Sequence, residues 1–213
     1  MVEQLEGTFD FDALSMKADL LDEDAVQGLV PRAIEALGGP LGVLINNASI
    51  FEYDNLGSAT RESWDRHLGS NLRAPFVLTQ QFATQAPEPV MDDNGEPVAQ
   101  ALVINMLDQR IHKLTPEFMT YTIAKMGLWA MTRTTAQALA PKIRVNGIGP
   151  GPTLRGGRQS EEHFGKQRAA TILQRGANPA DITAALGLNS SIKSINLLAN
   201  LTYPFGFLFI SIL

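Results

Sequence analysis

Apolar positions along the chain follow two rhythms. Val26, Leu29, Val30, Ala33, Ile34 and Leu37 recur at helical spacing behind the acidic cap Asp22-Glu23-Asp24 and stop at Gly38-Gly39, which predicts an amphipathic helix dented at Pro31. Leu41 to Ile45 is instead a continuous apolar run ending at Asn46-Asn47, the pattern of a parallel strand buried on both faces. Spacing predicts a long helix from Thr60 to about Gln85, with Trp64, Leu68, Leu72, Phe76 and Leu78 turned inward, Asn71 in its middle and a bend at Pro75. Pro87 to Pro97 reads as a loop with a turn at Asn94-Gly95. Ala101 to Met106 is a second apolar strand, and Asp108 follows its end. Thr115-Pro116-Glu117 opens the next predicted helix, which runs through Tyr121, Lys125, Leu128, Trp129, Met131 and Leu139 to Pro141. Ile143 to Ile148 is a third strand, and the Gly- and Pro-rich stretch Gly149 to Gly157 leaves it as a loop. Helices are further expected over Glu161 to Arg175 and from Asn178-Pro179-Ala180-Asp181, while residues 14 to 20 read as a short, irregularly patterned strand ending at Asp19.

Alternating strands and helices argue for an α/β fold with a parallel sheet, whose ligands sit beyond the strand C-termini, where Asn46, Asp108 and Pro150 fall. The sequence holds no internal repeat. From Ser194 to Leu213 no charge occurs, a length that could span a bilayer. Asn196, Asn200, Pro204 and Gly206 interrupt it and no basic flank follows Lys193, so a buried terminal segment is expected in preference to an anchor.

Composition narrows the chemistry. The 213 residues are 45% hydrophobic and 18% charged, enough for one buried core. A net charge of −5 without a basic run argues against nucleic acid. No cysteine is present, and the three histidines, His67, His112 and His163, are well separated and read as solvated, so neither disulfides nor a metal centre is expected. The first twelve residues lack a secretory pattern, which fits a cytoplasmic protein.

Tyr121 and Lys125 stand four apart and share a helix face. An ammonium beside a phenol favours the phenolate, so the pair is expected to lower the tyrosine pKa and to act as a general acid. Its company is Asn46-Asn47-Ala48-Ser49, Asn71, Asp108 and Arg144-Val145-Asn146-Gly147-Ile148-Gly149-Pro150-Gly151. In this order the motifs resemble those of the short-chain dehydrogenase/reductase family over about residues 14 to 188, and Asp108, thirteen positions before the tyrosine, is most similar to its pteridine reductase branch. The resemblance implies a Rossmann-like doubly wound parallel sheet and an NADP- or NAD-dependent oxidoreductase reducing a C=N or C=O bond of a small-molecule substrate. It implies that Tyr121, Lys125, Asp108 and Asn71 are catalytic, Asn71 through a relayed water and Asp108 through substrate orientation. Asp19, Leu20, Asn46, Asn47, Ala48, Ser49, Tyr121, Lys125, Pro150, Gly151, Pro152 and Thr153 would border the cofactor.

Two departures from the family matter. No G-x-x-x-G-x-G or G-x-G-x-x-G occurs in the sequence, so the loop that would hold the pyrophosphate is not present and the fold is expected to be incomplete at its N-terminus, leaving a strand edge unpaired. The tail from residue 189 to 213 differs from the family's closing strand, which leaves homo-oligomer contacts open. The alternative expectation is an inactive remnant, unable to hold cofactor, that acts as a subunit of a partner.

Overall fold

A computed structural model describes residues 14–157, 159–190 and 206–210. Four parallel strands form the main sheet in the order β5-β4-β1-β6, with β1 at Leu41–Asn46, β4 at Ala101–Met106, β5 at Ile143–Ile148 and β6 at Gly206–Ile210. Every residue of β1 and β4 is buried, as their continuous apolar runs require. Register aligns Asn46 with Asn105 and Met106 with Ile148, so β1, β4 and β5 end together at one end of the sheet.

Helices cover both faces. On one side α1 (Glu23–Leu37), α3 (Ala74–Gln85) and α4 (Met119–Leu139) pack through Val26, Val30, Val77, Phe82 and Leu139 onto Leu44, Val103 and Val145. On the other, Ile182 and Leu186 of α6 (Pro179–Ser190) meet Val43, Leu102, Ile104 and Ile148. Burying each such aliphatic side chain contributes about 1.5 to 3 kcal/mol. The predicted doubly wound, Rossmann-like arrangement is therefore the observed one. Asp22 caps α1 through the N–H groups of Asp24 and Ala25, Gly38 closes it at φ 70°, and Pro31 sits inside it without interrupting it. Gly95, at φ 77°, makes the predicted turn between the two-residue strands β2 (Val90–Met91) and β3 (Pro97–Val98).

Several expectations are corrected. Residues 14–20 form no strand; Met16, Ala18 and Leu20 pack irregularly on the core, and the edge of β1 expected to be unpaired is covered by the backbone of β6. Only Gly206–Ile210 of the apolar tail lies within the described residues, and among these no helix is long and apolar enough to cross a membrane. The long helix after Thr60 is interrupted: α2 (Arg61–Leu68) passes into α3 through a π-turn at Gly69–Arg73 that contains Asn71, one turn earlier than a bend at Pro75 would have been. Trp64 and Phe76, expected inside, are 41% and 38% exposed and line a groove with Leu72 and Met131 on the face turned away from the sheet. Their four-residue spacing marks a stripe but not which side of the helix meets the sheet. Helix α4 starts at Met119 and not at Thr115, because Arg110 binds Thr115 Oγ1 and the Glu117 carbonyl and holds that segment as a loop. The helix α5 (Glu161–Ala169) is shorter than expected, since the carbonyl of Arg168 bonds into a turn with Thr171.

Candidate active site

The sheet edge and α4 are locked by side-chain amides. Asn46 Nδ2 donates to Asn105 Oδ1 at 2.8 Å, and Asn105 Nδ2 donates to Thr132 Oγ1 at 2.9 Å. Two turns earlier on α4, the Lys125 ammonium donates to the Met106 carbonyl at 2.8 Å. Lys125 is only 3% exposed, and burial brings its pKa down to about 8 against the opposing pull of the Asp108 carboxylate.

Tyr121, 5% exposed, donates its hydroxyl to Asp108 Oδ2 at 2.9 Å. The other carboxylate oxygen, Oδ1, accepts the Arg110 N–H at 2.8 Å and caps the short 3-10 turn Gln109–Ile111, so Asp108 is both a cap and the partner of Tyr121. The expected lowering of the Tyr121 pKa is overturned. Burial, the negative charge of Asp108 and the hydrogen bond to it raise the phenol well above its ordinary value, with only weaker opposing pulls from Ser49 and Arg110. Lys125 lies 5.8 Å above the centre of the ring and spends its hydrogen bond on the backbone, so helical spacing brings it to the ring face and not to the oxygen.

Asn71 is fully buried, and its side chain clamps Ile50 on both sides, donating to the carbonyl and accepting from the N–H, each at 2.8 Å. Its amide is thus committed to holding the strand-end turn. Within that turn Asn47 is half-buried, Ala48 is buried, and the Ser49 oxygen is buried near the phenol without a hydrogen bond of normal geometry.

The remaining predicted residues form two outlying groups. Leu20 lines a narrow crevice with Asn46, Ala48, Ser70 and Pro75, into which Asn46 Oδ1 and Ser70 Oγ bring buried oxygens with no partner. Asp19 is exposed and makes only a local turn, accepting from Leu21 N–H at 2.9 Å. Beyond β5, Pro150 is half-buried, Gly151 exposed, Pro152 buried, and Thr153 bonds back to the Gly151 carbonyl at 3.1 Å. Arg168 fixes that loop from behind, donating to the carbonyls of Pro152, Ala177 and Gly176 at 2.9, 2.9 and 3.0 Å and to Asn178 Oδ1 at 3.2 Å.

Sequence reasoning missed the residues around Tyr121. Phe51 and Phe118 stack with ring centres 4.3 Å apart, Phe51 meets Tyr121 edge-on at 4.7 Å, and Arg110 lies 4.7 Å over Phe118. Phe118 holds a left-handed backbone, φ 55°, at a cost of about 1 to 3 kcal/mol. His67, expected to be solvated, is fully buried, as is Asp54. No periodicity marks these positions; an aromatic two residues beyond Asn-Asn-Ala-Ser was the available signal. Among the described residues, no group of three His, Asp or Glu side chains could hold a metal ion.

Comparison with known proteins agrees with this arrangement. A family model described as enoyl-(acyl carrier protein) reductase matches residues 1–191. The chain is 30% identical over 185 residues to the granaticin polyketide synthase putative ketoacyl reductase 2 of Streptomyces violaceoruber, covering 83% of this chain and 70% of the relative. It is 35% identical over 137 residues to a probable galactose dehydrogenase of Rhizobium meliloti, of which it covers 50%. The chain spans about half the length of this and two other curated relatives that it matches. The solved structure of FolM alternative dihydrofolate reductase 1 from Brucella canis, complexed with NADP, superposes with a TM-score of 0.79 at 35% identity, over 99% of this chain and 75% of that one. Sheet order, site geometry and these matches agree that the chain belongs to the short-chain dehydrogenase/reductase family of oxidoreductases.

Proposed function

We propose that this chain carries the proton-transfer half of an NADP- or NAD-dependent reductase acting on a C=N or C=O bond of a small planar substrate, a pteridine-like ring or a simple carbonyl. The observation that carries the reading is the buried Tyr121 hydroxyl donating to Asp108 Oδ2 at 2.9 Å. The raised phenol keeps its proton at neutral pH, and it becomes a better donor only when the Asp108 charge and hydrogen bond that help to raise it are drawn away. When a substrate heteroatom takes over the hydrogen bond, Tyr121 protonates it, while Asp108 is freed to accept from a ring N–H of the substrate. Burial leaves Lys125 poised to shed its own proton at slightly alkaline pH, and its charge, while kept, favours the phenolate left behind. Asn71 holds the Ile50 turn, and the π-turn around it is where a proton-relaying water would bind.

The nicotinamide cofactor of such a reductase supplies the hydride when bound. The residues present fit one half of it. Tyr121, Lys125 and the loop Pro150, Gly151, Pro152 and Thr153 would border its ring and ribose at the end of the sheet, whereas the side-chain oxygens of Asn46 and Ser70 beside Leu20 are buried and offer the adenosine end no exposed contact. The pyrophosphate has no glycine-rich loop to rest on in this sequence. That observation favours the second reading, a chain that keeps the acid and does not retain cofactor by itself.

A fluorescence titration of the 213-residue protein with NADPH and then NADH separates the two. Saturation in the micromolar range, followed by turnover of dihydropteridines or carbonyls, supports the reductase. No binding up to millimolar nucleotide supports the second reading.

A further inference from the structure

Helix α4 begins without a cap of its own: Phe118 precedes it, and no side chain within the helix satisfies its first N–H groups. Those groups are met from another segment. The Asp54 carbonyl accepts Phe118 N–H at 2.7 Å, and Asp54 Oδ1 accepts Thr120 N–H at 3.1 Å. The second carboxylate oxygen accepts the Thr120 hydroxyl and, at 3.1 Å, that of Ser63. His67 completes the cluster. Its Nε2 accepts Glu52 N–H at 3.1 Å, which places the ring proton on Nδ1, and Nδ1 donates to Thr120 Oγ1 at 2.7 Å. Donation runs in one direction, from Glu52 through His67 and Thr120 to Asp54, and each of the three side chains is 2% exposed or less.

Tyr121 follows Thr120 directly, and its ring meets the His67 imidazole edge-on at 6.0 Å. A shift of the first turn of α4 would therefore move the phenol off Asp108. We infer that Asp54, Thr120 and His67 are positioning residues that fix the first turn of α4 from outside the helix and thereby set the Tyr121 hydroxyl on Asp108. The inference rests on Tyr121 being the working acid, and it deepens that reading by naming what aims it. Burial holds the His67 pKa below its ordinary value against the pull of Asp54 and Glu52, with Arg66 adding to the lowering, while Asp108, Arg110 and Lys125 are the charged groups at Tyr121.

The test labels the tyrosines with ¹³C at Cζ, assigns the Tyr121 signal with Tyr121→Phe, and follows it by NMR against pH in the unaltered chain and in Thr120→Val, Thr120→Ser and Asp54→Asn. In the unaltered chain the signal is expected to stay that of a neutral phenol above the ~10 at which an ordinary phenol titrates. In Thr120→Val and Asp54→Asn the signal should shift and titrate at lower pH than in the unaltered chain, as a still-buried phenol released from the Asp108 charge does. Thr120→Ser, which keeps the hydroxyl, should restore the unaltered behaviour. If Asp54→Asn does not fold, the threonine pair still decides. An unchanged Tyr121 signal in Thr120→Val, with only the melting temperature lowered, overturns the inference. Where the unaltered chain turns over substrate, Thr120→Val should lower kcat by about 100-fold with the nucleotide KM unchanged. Where it does not, the reductase reading fails and the NMR result still judges the positioning.

Discussion

The two sides of the site are built to different standards. Around Tyr121 nearly every polar atom is matched across the chain: Asp54 binds Thr120 and Phe118, Asn71 holds Ile50, and Lys125 reaches back to β4. Around Leu20 the contacts are local or missing, with Asp19 exposed in a short turn and the buried oxygens of Asn46 and Ser70 unpartnered. The proposed proton transfer needs one oxygen held closely in place, and the Tyr121 hydroxyl is so held on Asp108. The crevice beside Leu20 has no comparable network among the described residues.

The comparison breaks most directly at the acid. Tyr121→Phe should lower kcat/KM by about 10²- to 10⁴-fold while circular dichroism stays unchanged, and retained activity would remove Tyr121 from the mechanism. Next in size is Asp54→Ala, which strands the buried Thr120 N–H and hydroxyl. It should cost about 3 kcal/mol in urea unfolding, far more than alanine at the exposed Asp19.

Lys125 gives a pH test. Its folded pKa of about 8 lies below the ~10.4 of an unfolded lysine, so between those values the unfolded chain binds more protons and stability rises with pH. Above about 10 the raised phenol of Tyr121 works in the opposite sense, because the unfolded chain then binds fewer protons. Lys125→Met should flatten the rise between about pH 8 and 10 and gain about 2 kcal/mol at neutral pH; an unchanged slope would place the titration elsewhere. Smallest is Leu20→Ala, which should cost about 1 kcal/mol of stability and leave the Tyr121 NMR signal untouched. A shift of that signal would show that the two sides are coupled after all.

Much of this was legible in the sequence. Leu41 to Ile45 and Ala101 to Met106 announce buried parallel strands because no polar residue breaks them, and their order with the intervening helices sets the doubly wound sheet. Tyr121 and Lys125 share a face of α4 as their four-residue spacing predicts, and Asp108, marked by the family resemblance, accepts the Tyr121 hydroxyl. Asp54 and His67 were not legible, since a lone acid in a loop and a histidine between Arg66 and Leu68 have no pattern, and their partner Thr120 lies 66 and 53 residues away. The direction of the Tyr121 shift escaped for a related reason. Spacing gives neighbours on a helix, whereas desolvation depends on what the rest of the chain lays over them. Trp64 and Phe76 show the limit of periodicity, which finds a stripe but leaves its side to the packing of α4.

Arg168 joins the loop beyond β5 to the residues that lead into α6 through four hydrogen bonds, and a Cβ on Gly176 would stand 2.2 Å from the Pro152 carbonyl. Because α6 is also the cover of the second sheet face, the loop cannot swing outward alone. In the proposed reductase, moving this loop outward would therefore break the Arg168 bonds or carry the residues leading into α6 with it.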